Sequence, residues 1–506
     1  MTRAGALLFA LAALVYAVTA PGHMQTGDNR AELAVAESIV ARGDFTVGPA
    51  PPFVFIPYVS STDGVPYASY GIGASIVLLP AALIGTLADC PGHGCPASVQ
   101  HATDFAASFV GAFFAALAVT VLFLFALDLG AGIKSAVALA LLFAFATIEW
   151  AYAHDAYDIG PASALALLAL FTLHRGLQRN HGGWIVASGC AMGFAVLTRL
   201  PIAVFLPVFG GYLLISVTLV GARAQLWREA VTYVLEWGAP IALSLAVMGW
   251  YNWSRFGSPL NGGQGGNGEI AFSTPLLTGL MGQLVSPGKS LLLFSPPLLI
   301  GVAALPAFMR RHVGLGLVIL SAAAINLVFF GRYYEWAGDY AWGPRYTVPL
   351  TGLLLLPAIS LLSTWRRQPL VARVGLIVTG AAGVAVQILG VSIDYLHQML
   401  LERFQGIDPR TYWSIQYSAV WRHALAFWQV LHGSAPYPTD QTPMDLTLGL
   451  PQFTTIDFWW IYAWINGISR VVIVTIVGGA VLLILILAYR LFLATREAAT
   501  APSALA

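Results

Sequence analysis

Apolar residues run along this chain in blocks, and most blocks are long enough to cross about 30 Å of hydrocarbon as a helix. They lie near residues 4–20, 104–127, 135–153, 159–173, 183–199, 201–220, 231–250, 290–309, 313–330, 346–363, 373–391 and 467–490. The pattern predicts an all-α polytopic membrane protein of about twelve transmembrane helices. Residues 1–506 then form a single integral membrane domain with no separate soluble domain. A further apolar run, 69–88, is interrupted by Gly71, Gly73 and Pro80 and has two readings, spanning or re-entrant at an interface. Three connections are long: a first loop of 21–103 with interfacial helices, then 251–289 and 392–465. Long loops gathered on one side suit a reaction or recognition site there.

Composition strengthens this picture. The chain is 58% hydrophobic and 9% charged, against about 25% charged in soluble proteins. A net charge of +1 with no basic stripe excludes a nucleic-acid partner. Charge also orients the helices, because positive residues concentrate in cytoplasmic connections. If 69–88 does not cross, Arg3, Lys134, Arg175, Arg179, Arg223, Arg228, Arg310, Arg311, Arg366, Arg367, Arg373, Arg490 and Arg496 share one side with only Asp128, Glu229 and Glu497. That predicts both termini inside, the long loops outside and most carboxylates with them. Arg3, the apolar core and Val18-Thr19-Ala20 also suit a cleavable signal peptide, and residues from Pro21 emerge outside either way.

Scarce charge makes the outer carboxylates conspicuous. The first loop reads GDNRAELAVAESIVARGDF, with Ala31, Ala34, Val35 and Ile39 at helical spacing and Gly43 closing the helix. Asp28 either caps this helix or is a general base at the membrane surface. After the third span, EWAYAHDAYDIGP crowds Glu149, His154, Asp155 and Asp158 together. They suit a functional cluster, with His154, Asp155 and Asp158 as candidate ligands of a possible divalent metal. The alternative is a solvated helix end with Asp158 capping the helix that follows.

Between spans nine and ten, GRYYEWAGDYAWGPRYTVP interleaves Arg332, Glu335, Asp339 and Arg345 with six tyrosines and tryptophans. The rings suit an interfacial belt. Arg345, Arg332 and Lys289 are candidates for a lipid phosphate, since guanidinium binds phosphate in a bidentate fork; Lys289 also suits snorkelling to headgroups. Tyr395, His397, Trp413, Tyr417, Trp421, His423, Trp428 and His432 suit sugar stacking, a lipid groove or an interfacial helix. Cys90 and Cys95 flank PGHG and suit a small disulfide, or a zinc site with His93; Cys190 lies within a span, as inert packing.

These features together resemble the GT-C superfamily of polytopic glycosyltransferases, notably the branch using polyprenyl-phosphate sugars, such as aminoarabinose transferases and protein mannosyltransferases. The resemblance covers mainly residues 1–200 and the overall topology. It implies that Asp28 is the catalytic base and that Gly43-Asp44-Phe45 is the motif ending its helix. Asp158, or else Asp155, takes the place of the second-loop acidic residue. Substrate-binding roles then fall to Glu32, His154, Glu335 and Asp339. The family often has Glu directly after the first Asp; here Asn29 stands there, and Glu32 lies one turn further on. The resemblance implies sugar transfer, with inversion, from a polyprenyl-phosphate donor to a lipid, glycan or protein acceptor at the outer face of a bacterial inner membrane. The competing reading is a twelve-span transporter or lipid-linked-sugar flippase. The two halves show no sequence repeat, which weakens it.

Overall fold

A computed structural model of the chain describes residues 3–47, 59–61, 64–88, 102–220, 223–263, 271–338, 341–395, 409–433, 456–465 and 467–500. Asp339, His397, His93 and the Cys90/Cys95 pair lie outside the described residues. Among the described residues, apart from a ribbon pairing Val59–Ser60 with Pro66–Tyr67 and two isolated bridges, the regular structure is helical.

Among the described residues, eight helices are long and apolar enough to cross a membrane. Arg3–Val18, Ile133–Ala146, Gly182–Thr198 and Leu298–Met309 are shorter and coincide with the remaining four apolar runs. Two of these are shortened by identifiable breaks. Extended backbone at Thr147 separates Ile133–Ala146 from the turn of helix Glu149–His154, and Pro296-Pro297 stands before Leu298. Ile159–Arg179 lies at the centre, with 89% of its apolar window buried. Ala230–Phe256 and Arg470–Glu497 are only 11% and 6% buried, and their Leu, Val and Ile side chains face outward. Exposed apolar residues around whole helices are stable only against lipid. Cys190 also faces outward, which corrects its expected packed position.

The two ends of the bundle differ. At one end Arg3 meets Glu497 at 3.7 Å, and Asp128 meets Arg175 at 3.2 Å and Arg179 at 3.7 Å, so both termini share this end. Glu236 belongs here as well, beside Gly182, rather than with the outer carboxylates. Asp28, Asp158, Arg199 and Arg345 occupy the other end.

The helix Ile72–Ala88 does not pass between the two ends. Gly71 and Gly73 press on the backbone of Leu197 and Thr198, beside Arg199. At its far end Gly85 abuts Thr103, ahead of the second span. Both ends of this helix therefore lie at the site level. It runs along the bundle end, packed under the helix Gly27–Arg42 through Leu33, Ala36, Leu78, Ala81 and Ala82. Leu276–Val285, too short to span, is held at the same level where Gly279 admits the Gly331 backbone.

Candidate active site

The helix Gly27–Arg42 presents Asp28 from its first turn. Its N-cap is Thr26, whose hydroxyl accepts from the Asn29 amide, so Asp28 is not the cap. Gly43 ends the helix at φ 71°, a conformation natural to glycine, and its N–H donates to Ser38 and Ile39 carbonyls. Asp44 then accepts from Thr46 and Arg42, which fixes the turn. Phe45 packs edge-on against Trp250 and Tyr251. The other face of the helix buries Ala31, Ala34 and Val35 against Ile72 and Leu197.

The freed carboxylate of Asp28 is half-exposed. Oδ1 accepts from the Tyr70 hydroxyl at 2.7 Å, and Oδ2 faces Arg345 Nη1 at 3.8 Å. Tyr70 immediately precedes the Gly71 contact, so the interfacial helix Ile72–Ala88 carries this partner into the site. Tyr70 lies in the apolar run 69–88, and only the tertiary contact marks it.

Two arginines converge opposite the carboxylates. Arg199 donates to Asp158 Oδ1 at 2.5 Å, and Arg345 to the Tyr346 hydroxyl at 3.2 Å. The Tyr346 ring lies 5.8 Å from the Arg199 guanidinium and 5.1 Å from that of Arg345. Among the described residues, the Nε atoms of both arginines are buried without a hydrogen-bond partner. Donors held in this way suit an oxyanion. The sequence patterns do not single out Arg199 as a binding residue; its signal is an arginine followed by Leu200-Pro201 at the end of an apolar run.

Asp158 is at the start of Ile159–Arg179 but makes no capping bond, because Arg199 takes its carboxylate. Asn29 occupies the position after the first Asp and donates to Asp155 Oδ1 at 2.7 Å. Burial pushes the Asp155 carboxyl up to about 7, against the opposing pull of His154 and Asn29. Glu32 is buried one turn along; burial first, then Asp158 and Asp28, hold it well above the usual carboxylate range.

His154, Asp155 and Asp158 do not converge as ligands. His154 donates Nδ1–H to the Thr19 carbonyl and turns Nε2 to Asp457 Oδ2 at 3.1 Å, while Arg199 holds Asp158. Among the described residues, the donors that gather are His23, Asp394 and Asp457, one atom from each lying within 4.8 Å of the others.

The remaining candidates are dispersed. Lys289 is buried rather than snorkelling; its ammonium donates to the Ala341 carbonyl at 2.6 Å and lies 3.4 Å from the Tyr395 hydroxyl. A small cavity lined by Thr26, Tyr152, Asp155, Tyr157, Trp342 and Tyr395 has the Asp155 carboxyl and Tyr395, a neighbour of Lys289, on its walls. Arg332 is exposed and donates to the Phe272 carbonyl at 3.0 Å. Glu335 lies in the turn beside buried Trp336, its carbonyl accepting from the Gly338 amide at 2.8 Å. His423 is buried against Trp342, and burial lowers its imidazole to about 4. Trp413, Trp421 and Trp428 are exposed, Trp421 and Trp428 on the helix Ala419–Leu431.

No family model matches the sequence, and no curated protein matches it. Among solved structures the chain is similar to ArnT from Cupriavidus metallidurans bound to undecaprenyl phosphate, at 17% identity and a TM-score of 0.47, over 88% of this chain and 78% of that one. It is also similar to the apo form of the Archaeoglobus fulgidus oligosaccharyltransferase, at 13% identity and a TM-score of 0.49, over 92% of this chain and 58% of that one.

Proposed function

We propose that the protein is a membrane glycosyltransferase that moves a sugar from a polyprenyl-phosphate donor to an acceptor hydroxyl, with inversion. The observation that carries this reading is Asp28, a half-exposed carboxylate held by Tyr70 and facing Arg345, which shares the Tyr346 ring with Arg199.

A sugar on a lipid phosphate already has a good leaving group, so the site needs a base and a cationic cradle rather than a strong acid. Asp28 takes the proton from the acceptor hydroxyl as its oxygen bonds to the anomeric carbon. The bond from that carbon to the phosphate oxygen breaks, and its electron pair leaves with the phosphate. Arg345 and Arg199 hold the charge that develops there. Attack on the face opposite the phosphate inverts the anomeric centre, by analogy with inverting glycoside hydrolysis. Asp158 keeps Arg199 aimed, and Glu32 and Asp155 are buried close by as carboxyl groups whose burial favours the neutral form. The donor's tail stays in lipid while its sugar reaches the first loop. On this reading the site faces the outside of a bacterial inner membrane, and the acceptor is a lipid, glycan or protein.

A transporter or flippase needs ionisable groups along a path through the bilayer. Here the ion pairs of the described residues lie at one end of the bundle or the other. The test is sugar transfer by purified protein in lipid nanodiscs supplied with a polyprenyl-phosphate sugar. Movement of donor across vesicles without any transfer would overturn the reading.

A further inference from the structure

The helix Ala419–Leu431 has two faces of different kinds. Ala419, His423 and Ala426 recur at i, i+4 and i+7 and are buried. Trp421, Leu425 and Trp428 recur at the same spacing on the opposite side and are 53%, 39% and 60% exposed. The inner face fixes where the helix sits. His423 Nδ1 donates to the Leu389 carbonyl at 2.9 Å, three residues before the end of the span Leu370–Ser392. At 1.5 Å per residue that anchor lies about 5 Å inside the end of the span. The same span turns Ile377, Val378 and Ile388 outward, so its lipid-facing surface reaches the level at which the second helix is attached.

The segment before the helix is tied to the site-level loops. The Gly288 N–H donates to the Tyr412 carbonyl at 3.1 Å, and the Trp413 ring lies 5.9 Å from that of Trp336. Arg422 and Gln429, seven residues apart, share the edge beside the exposed stripe. The Arg422 guanidinium lies 5.2 Å from the Tyr417 ring. In water the stripe would leave two indoles and a leucine unburied side by side. Deep in hydrocarbon, Arg422 and Gln429 would be cut off from water. The boundary between acyl chains and headgroups satisfies both edges, and indole is the side chain enriched there.

We propose that the helix Ala419–Leu431 is a membrane-docking element, with Trp421, Leu425 and Trp428 set among phospholipids of the leaflet on the site side, where acyl chains meet headgroups. Phospholipid is the occupant because the lipid-facing surface of the span Leu370–Ser392 continues to this helix. A platform for stacked sugars would carry hydrogen-bonding groups between its rings, where Leu425 stands. Behind the stripe, the His423 ring lies 4.6 Å from Trp342 and 6.1 Å from Tyr395, and both line the small cavity that Asp155 also walls. Docking thus holds that side of the cavity at headgroup depth. The placement does not depend on the transfer chemistry.

Full-length protein in phosphatidylcholine nanodiscs supplies the test. Cys90→Ser, Cys95→Ser and Cys190→Ser clear the background for a nitroxide attached through Leu425→Cys or Gln429→Cys. The label at position 425 is expected about 5–10 Å below the phosphates, relaxed more by oxygen than by a water-soluble nickel complex. The label at position 429 should show the reverse preference. Nickel preference at both positions would overturn the proposal and leave a platform for a soluble glycan or protein. Closure of both to either agent would overturn it in favour of a covering protein. Oxygen preference at both would overturn the boundary placement. A second measurement needs no substitution. Phosphatidylcholine carrying a diazirine on the first carbons of an acyl chain is photolysed with the unaltered chain, and the adducts are mapped by mass spectrometry. Adducts within Ala419–Leu431 are expected; their absence while Arg470–Glu497 is labelled would overturn the proposal as well.

Discussion

The Tyr70 hydroxyl donates to Asp28 Oδ1 at 2.7 Å, joining two residues 42 positions apart. The bond occupies one carboxylate oxygen and leaves Oδ2 towards Arg345, so it sets the direction in which Asp28 can accept a proton. Asp28→Asn should lower kcat by about 10² to 10⁴, the usual contribution of a positioned base. Full turnover in this variant would remove Asp28 from that role. Tyr70→Phe should cost less, about 10-fold, mainly in kcat, since it removes a charge-assisted hydrogen bond but leaves the carboxylate.

Arg345 and Arg199 share the Tyr346 ring yet should respond differently to substitution. Arg345→Ala is expected to raise the donor KM more than the acceptor KM, and Arg345→Lys should restore it only in part, because an ammonium lacks the planar fork. An unchanged donor KM would move the phosphate site, with Lys289 or Arg332 next in line.

Arg199→Ala should also destabilise the fold. It leaves the Asp158 carboxylate buried without its partner, a defect that typically costs about 3–5 kcal/mol. Thermal unfolding of Arg199→Ala and of the double variant with Asp158→Asn separates the effects. Loss in the single variant and recovery in the double is the expected result. Equal melting of the single variant and the parent would show that the pair contributes nothing.

Glu32 gives a pH dependence of definite sign. Its folded-state pKa is held above the ordinary value of 4.5, so the folded chain binds a proton that the unfolded chain has released. The stability this adds is complete below that ordinary value and declines as pH rises towards the folded pKa. Glu32→Gln should abolish that decline, so the variant gains on the parent over the range above the ordinary value of 4.5. A constant difference in melting temperature across that range would contradict it.

The interfacial helix is seated by glycine. A Cβ on Gly73 would fall on the Thr198 backbone, which cannot retreat, so Gly73→Ala should cost about 1–3 kcal/mol and lower kcat by shifting Tyr70. Gly211, in the apolar helix Leu206–Val220, has open space where its Cβ would stand. Gly211→Ala should therefore leave both stability and activity intact.

Much of this architecture is legible in one dimension. Apolar blocks locate the spans because hydrocarbon tolerates little else, and the positive-charge bias places both termini at one end. Asp28 stands out because carboxylates are scarce in a chain that is 9% charged. Helical spacing and Gly43 also reveal the helix that carries it. Pairings are a different matter. That Thr26 rather than Asp28 caps that helix depends on the backbone entering it, and that Asp158 binds Arg199 rather than its own helix end depends on the neighbouring span. His154 looks like a partner of Asp155 and Asp158 at close spacing, but the fold turns it to Asp457, 303 positions away. Hydrophobic periodicity reflects transfer of single residues out of water, a local property. The direction of a buried charge depends on which other segment offers the compensating group, and that is decided only when the spans pack.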